Sequence, residues 1–226
     1  MHAPGDRNRK RFVADDVAME LSGVPTFAGR WRRAVTAAGD RPFLLWEGSD
    51  GAARQWSYAE FDELVSEVAA FLSSRGVQRG KAVHVALSNS PGFVAIWLAA
   101  TELGATLVPS DPEASARELT GCLGRTHPAV GVGSLRRAGA YREGAARQAG
   151  LHVVLIDEDD TGLAPIRPGR AAGGSRPDTA DPGPGDRLAV MFTSGTTSQP
   201  KGVVLTQGEL CLHRRRHGRG RRARTR

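Results

Sequence analysis

The most constraining feature of the sequence is the alternation, from Ala82 to Ile156, of short apolar runs with segments of helical periodicity. Ala82–Leu87, Ala105–Pro109, Ala129–Val132 and Leu151–Ile156 read as strands. Between them fall a helix carrying Phe93, Ile96, Trp97, Ala100 and Leu103, a second over Glu113–Leu123 and a third over Leu135–Ala149. Links this short, with a helix between successive strands, make the strands parallel and the helices crossovers. The expected fold is therefore α/β, a parallel-rich open sheet flanked by helices. His84 and His152 fall inside strand patterns and are read as structural side chains rather than ligands.

The flanking segments extend this frame. Phe27, Trp31, Ala34, Val35 and Ala38 follow helical spacing, and Gly39 closes the pattern. Phe43–Trp46 and Arg54–Trp56 flank Ser49-Asp50-Gly51, a hairpin signal. Ser57 followed by Glu60 forms a capping box for a helix whose buried face is Phe61, Leu64, Val65, Val68, Phe71 and Leu72, ended by Gly76. Residues 157–187 hold five Pro from Pro165 to Pro184 and six Gly, and are expected to be an exposed connection. Leu188–Phe192 and Val203–Leu205 then read as two strands around a polar loop.

The charge is unevenly placed. The chain has 31 Lys+Arg against 24 Asp+Glu, a net of +7 over 226 residues. His213–Arg226 hold eight Arg and no acid, which leaves 23 bases against 24 acids and a net of −1 for the rest. A basic tail on a near-neutral body is not the footprint of a nucleic-acid-binding domain. Only Lys10, Lys81 and Lys201 are lysine, a usage expected of GC-rich codons. Cys122 and Cys211 are too far apart for a zinc spacing or a disulfide framework, so no metal site is expected and a reducing, cytoplasmic setting fits. No run of about 18 apolar residues is present to span a membrane.

One segment carries chemistry. Thr193-Ser194-Gly195-Thr196-Thr197-Ser198-Gln199-Pro200-Lys201-Gly202 concentrates hydroxyls, glycines and a lysine between two strands. Main-chain N–H groups and hydroxyls donate to phosphate oxygens, glycine permits close approach, and an ammonium supplies a point charge. It is not the G-x-x-x-x-G-K-[ST] loop, because Gly202 follows the lysine and a strand follows the loop. On composition alone a surface hairpin would explain it as well.

The order of the residues decides between these. Phe192 to Thr206 resembles the phosphate-binding signature of the adenylate-forming superfamily, which includes acyl-CoA synthetases, luciferases and peptide-synthetase adenylation domains. Trp56-Ser57-Tyr58-Ala59-Glu60-Phe61, Val77–Val83, Asn89–Phe93 and Leu103–Pro109 resemble the order of that family's N-terminal domain. Ser198 departs from the pattern, standing where the family usually has glycine; at φ > 0 it would cost about 1 kcal/mol. Ser198-Gln199-Pro200 is similar to carnitine/crotonobetaine-type ligases.

The resemblance implies a two-step reaction. A carboxylic acid attacks the α-phosphorus of ATP·Mg²⁺ to give an acyl-adenylate, and the thiol of CoA or of a carrier protein's pantetheine then takes the acyl group. Thr193, Ser194, Gly195, Thr196, Thr197 and Lys201 would hold the triphosphate, with Thr193 and Thr196 also reaching an adenylate phosphate. In the family the adenine, Mg²⁺ and ribose contacts, the hinge and a C-terminal domain with the catalytic lysine all follow this loop. Nothing in Cys211–Arg226 resembles them, and the family's helix after the loop gives way to Arg-rich sequence.

The expected organisation is an N-terminal extension over 1–26, a partial AMP-binding N-terminal domain over 27–210, and an Arg-rich tail over 211–226. The tail reads as a non-native end from a shifted frame rather than an arm for RNA or DNA, so nucleic acid is not an expected partner. A truncated acyl-CoA synthetase with little activity of its own is the expectation, with a sheet whose last edge and faces lack neighbours. The alternatives are a carrier-protein-loading adenylation domain and a non-enzymatic nucleotide- or nucleic-acid-binding protein.

Overall fold

The computed structural model describes residues 23–167, 177, 181–193 and 201–211. Its helices are α1 (Phe27–Ala38), α2 (Tyr58–Ser74), α3 (Pro91–Glu102), α4 (Ala116–Thr126) and α5 (Ala138–Ala145). Its strands are β1 (Pro42–Glu47), β2 (Ala53–Ser57), β3 (Ala82–Ala86), β4 (Thr106–Pro109), β5 (Val130–Ser134), β6 (His152–Ile156), β7 (Arg187–Thr193) and β8 (Lys201–Thr206). β1 and β2 pair as an antiparallel hairpin, and Gly51 takes the positive φ its turn requires. The other six strands form one sheet in the order β6-β5-β3-β4-β7-β8. Every pair in it is parallel except β7–β8, which closes as an antiparallel hairpin at one edge.

Local chemistry sets the helix starts. The Ser57–Glu60 capping box forms, with Ser57 N–H donating to Glu60 Oε2 at 2.7 Å and Glu60 N–H to Ser57 Oγ at 3.2 Å. The Ser57 N–H, with its hydroxyl adding to it, holds the Glu60 carboxyl below its ordinary range. A second box, Ser115–Glu118, starts α4 at Ala116 rather than at Glu113 as the sequence suggested. Ser90 caps α3, and Pro91 occupies its first turn, where no N–H is needed.

Alternation along β3 divides the core. Val83 and Val85 join Phe61, Leu72, Ile96 and Leu107 in the main cluster beneath α2 and α3. Ala86 belongs to a smaller cluster with Leu119, Leu123 and Tyr141 from α4 and α5. His84, on that second face and fully buried, lies 2.7 Å through Nδ1 from the Tyr141 hydroxyl and 2.9 Å through Nε2 from Ser110 Oγ. Ser110 in turn donates to Cys122 Sγ at 3.6 Å. The chain is satisfied throughout if Tyr141 donates to Nδ1 and Nε2–H donates to Ser110. Tyr141 reaches β5 because Gly131 and Gly133 have no side chains; a Cβ at Gly133 would stand 2.5 Å from the Tyr141 ring.

Three expectations are corrected. The helix expected over Leu135–Ala149 is a 3₁₀ turn, Leu135–Arg137, followed by the shorter α5. The described part of 157–187 is not simply an exposed connection: Leu163 and Ile166 are buried in the main cluster. Arg167 there pairs with buried Glu67 of α2, Nε to Oε2 at 2.6 Å and Nη2 to Oε1 at 3.0 Å. Residues 207–211 are helical, so the helix after β8 does begin. No helix among the described residues is long and apolar enough to cross a membrane.

Burial holds the His84 pKa at about 4 against an ordinary 6.5, so the unfolded chain takes up a proton that the native chain refuses between those values. Stability is then intact above pH 6.5 and falls by about 3 kcal/mol as the pH drops towards 4. Urea unfolding across that window measures the slope, and His84→Gln flattens it. Gly133→Ala loses about 1–3 kcal/mol by overpacking against Tyr141, read in the same assay.

Candidate nucleotide-phosphate site

An open parallel sheet binds ligands beyond the carboxyl ends of strands where the strand order reverses. The order here creates two such places. The chain leaves β3 toward β4 but leaves β5 toward β6, so one crevice lies between β3 and β5. It returns from β4 to β5 but continues from β7 to β8, which makes a second between β4 and β7.

The first crevice is filled by acids. The segment after β6 brings Glu158 to the N–H of Ser88, just beyond β3. Asp159 accepts from Arg136 Nη2 at 2.5 Å, just beyond β5, and from Ser49 Oγ at 2.6 Å at the tip of the β1–β2 hairpin. The Ser49 hydroxyl and N–H, with Arg136 adding to them, hold the Asp159 carboxyl below its usual range. Carboxylates spanning this crevice disfavour an anion there.

The second crevice carries the loop. β4 and β7 pair through Leu107 and Ala189, and β7 runs on to Thr193 at the carboxyl edge. Thr193 pairs with Lys201 across β7–β8, so seven residues connect the two strand ends. Of the expected site residues, Thr193 is thus the last of β7, and Lys201, with an exposed side chain, is the first of β8. Ser194, Gly195, Thr196 and Thr197, like Ser198, lie outside the described residues, as do the 1–22 and 212–226 segments.

Side chains that sequence reasoning passed over brace this hairpin. The Arg125 guanidinium of α4 lies 4.4 Å from the ring centre of Phe192, beside the loop. Phe192 faces Gly202 on β8, where an added Cβ would come within 3.2 Å of its ring. At the far end of β8, Thr206 and Glu209 form a third capping box, with Glu209 N–H donating to Thr206 Oγ1 at 3.2 Å and Thr206 N–H to Glu209 Oε2 at 2.9 Å. Its Thr-x-x-Glu spacing was present in the sequence. Gln207, fully buried, accepts from the Ala28 N–H at 3.1 Å and donates to the Thr101 carbonyl at 3.1 Å. It thereby ties β8 to the first turn of α1 and the last turn of α3.

Residues 31–223 match the AMP-binding enzyme family. This chain belongs to that family. It is 30% identical over 200 residues to the crotonobetaine/carnitine–CoA ligase of Salmonella paratyphi A, covering 85% of this chain and 38% of the relative. The corresponding ligase of Citrobacter koseri is 29% identical over 198 residues, with the same coverage. The ATP-bound MatB of Rhodopseudomonas palustris superimposes with a TM-score of 0.62 at 29% identity, over 74% of this chain and 33% of MatB. The N-terminal domain of FACL13 from Mycobacterium tuberculosis shares the fold at a TM-score of 0.66 and 24% identity, over 84% of this chain and 46% of that domain. The chain spans about 38% of the length of the curated relatives it matches.

The described ends of this hairpin thus set Thr193 and the exposed Lys201 side by side at the end of β7. Among the described residues no group of three or more His, Cys, Asp or Glu is placed to hold a metal. Mg²⁺ is assigned to no described residue.

Replacing Gln207 with leucine leaves the Ala28 N–H, one of the unpaired donors of a helix start, buried without an acceptor. A loss of about 1–3 kcal/mol is expected in denaturant unfolding, with little change in the m-value.

Proposed function

We propose that this chain supplies the triphosphate-holding part of an acyl-CoA synthetase reaction, in which ATP activates a carboxylic acid for transfer to the thiol of CoA. The observation that carries it is the ordered Phe192–Thr206 signature, whose described ends form a hairpin at the β4/β7 reversal. In this reading Thr193, Ser194, Gly195, Thr196, Thr197 and Lys201 bind the β- and γ-phosphates. Their contribution is orientation and charge neutralisation, the two effects from which phosphoryl chemistry gains most. Mg²⁺ enters with the nucleotide and screens its phosphates.

CoA is preferred over a carrier-protein pantetheine as acceptor because the named relatives are CoA ligases. Cys122 and Cys211, both buried free thiols raised by burial, support a reducing compartment such as the cytoplasm. The adenine and ribose contacts and the catalytic groups are assigned to no described residue.

Calorimetric titration of the full chain with ATP·Mg²⁺ and with pyrophosphate tests the reading. Lys201→Ala is expected to weaken binding of both about tenfold, in line with loss of one charge-assisted contact of about 1.4 kcal/mol. Lys81→Ala, at the opposite edge of the sheet, serves as control and leaves affinity unchanged. Equal binding by wild type and Lys201→Ala would remove the loop from the site. Carboxylate-dependent exchange of pyrophosphate into ATP is expected to be weak for this chain on its own.

A further inference from the structure

Arg125 occupies the last turn of α4, and its guanidinium is held at two points. Nε donates to the Gly121 carbonyl at 3.1 Å, and the guanidinium carbon stands 4.4 Å from the ring centre of Phe192. A cation this close to an aromatic face is attracted by the ring's quadrupole. Phe192 is the last residue but one of β7 and pairs with Gly202 on β8. Gly202 lets the two strands lie close there: an added Cβ would stand 3.2 Å from the Phe192 ring and 3.3 Å from Val190. One ring therefore links α4 to the point where β7 and β8 part, and the next residue along each strand is Thr193 or Lys201.

The helix that carries Arg125 is itself fixed to the sheet one turn earlier. Cys122, buried, accepts from the Ser110 hydroxyl just beyond β4, and that hydroxyl lies 2.9 Å from His84 Nε2 in the core of β3. Residues three apart share a helix face, so the face that anchors α4 at β4 is also the face that presents Arg125 to β7. A chain of side-chain contacts thus runs from β3 to the mouth of the hairpin through His84, Ser110, Cys122, Arg125 and Phe192. Arg125 is exposed and adds little to the core. Its position serves the ring, and a hairpin end that lost this contact would open more readily.

We propose that Arg125 is a positioning residue for the phosphate-holding hairpin: through Phe192 it fixes Thr193 against Lys201, and so sets where the Lys201 ammonium meets the nucleotide. Arg125 acts through the ring rather than on the phosphates. A lysine stem is flexible, and fixing the strand that carries it reduces the ordering that binding still has to cost. The effect on binding rests on the phosphate reading of the hairpin, whereas the brace itself is a property of the ligand-free chain.

The test measures two things on the full chain: amide exchange over Met191–Thr193 and Lys201–Val203 without ligand, and calorimetric affinity for ATP·Mg²⁺ and for pyrophosphate. Arg125→Met keeps a stem and removes the charge. It is expected to speed exchange at these residues and to weaken both ligands, each about three- to fivefold, the scale of one cation–π contact. Arg125→Lys falls between the wild type and Arg125→Met. In a Phe192→Leu background, Arg125→Met has no further effect on either measurement. Arg142→Met removes the same charge from the exposed side of α5 and changes neither. Thermal melts check the fold of each variant, and if Phe192→Leu fails to fold, the order of wild type, Arg125→Lys and Arg125→Met decides. Unaltered exchange in Arg125→Met would overturn the brace, and faster exchange with unchanged affinity would overturn positioning. Losses from Arg125→Met and Phe192→Leu that simply add would put Arg125 on the phosphates directly and overturn it as well. Should the wild type bind neither ligand, the phosphate reading fails and positioning falls with it, while the exchange measurement separates that failure from loss of the brace.

Discussion

The parallel pairing of β3 with β4 on one side and β5 on the other is the constraint on which the rest of the molecule depends. With a neighbour on each side, β3 is buried on both faces, and its side chains alternate between two unlike environments. One face receives valines and the large α2–α3 cluster. The other receives His84, whose ring nitrogens meet Tyr141 and Ser110. A histidine there is tolerable because both of its nitrogens are satisfied in the neutral form. Tyr141 is available only because β5 offers two glycines beneath its ring, and α5 lies close enough because Gly144 lets it approach α4, where a Cβ would meet Leu119 at 2.6 Å.

The same pairing produces the two strand-order reversals, and their contents differ. Between β3 and β5 the acids after β6 cross the sheet's carboxyl edge and bind what lies beyond each strand. Between β4 and β7 the edge is left to the hairpin. Topology alone marks both crevices as candidate ligand sites, and what the described side chains place at each distinguishes them.

How much of this was legible in the sequence depends on the range of the interactions. Strands of the sheet and the Ser57–Glu60 box were readable because a few adjacent residues fix them. The Ser115–Glu118 and Thr206–Glu209 boxes were equally local, and were missed beside stronger hydrophobic patterns. α5 was overestimated because its apolar spacing continues past the point where the chain turns: Gln148 N–H bonds back to the Ala145 carbonyl, and Gly150 takes a positive φ. Leu163 and Ile166 were hidden in a Pro- and Gly-rich stretch whose average composition reads as exposed. Their burial is fixed by Arg167 and Glu67, 100 residues apart, and no local pattern encodes such a pair. For the loop, residue order was more informative than the structure, because the order places the hydroxyls and the lysine while the described residues include only the hairpin's two ends.

Charge is placed differently at the two crevices of the carboxyl edge. The two crevices are separated by two strand spacings, about 10 Å, which is close to one Debye length at 0.1 M salt. Unpaired carboxylates at that range would still raise the energy of a triphosphate. Here they are not unpaired: Asp159 is held by Arg136 and Ser49, and Glu158 by a main-chain N–H. Their pairing weakens their field at the distance of the next crevice, while their side chains occupy their own. On the other side Lys201 and Arg125 bring positive charge to the hairpin. In a body whose charges sum to −1, paired carboxylates thus stand at one crevice and Lys201 and Arg125 near the other, and the net figure for the whole chain, set by its Arg-rich end, bears on neither.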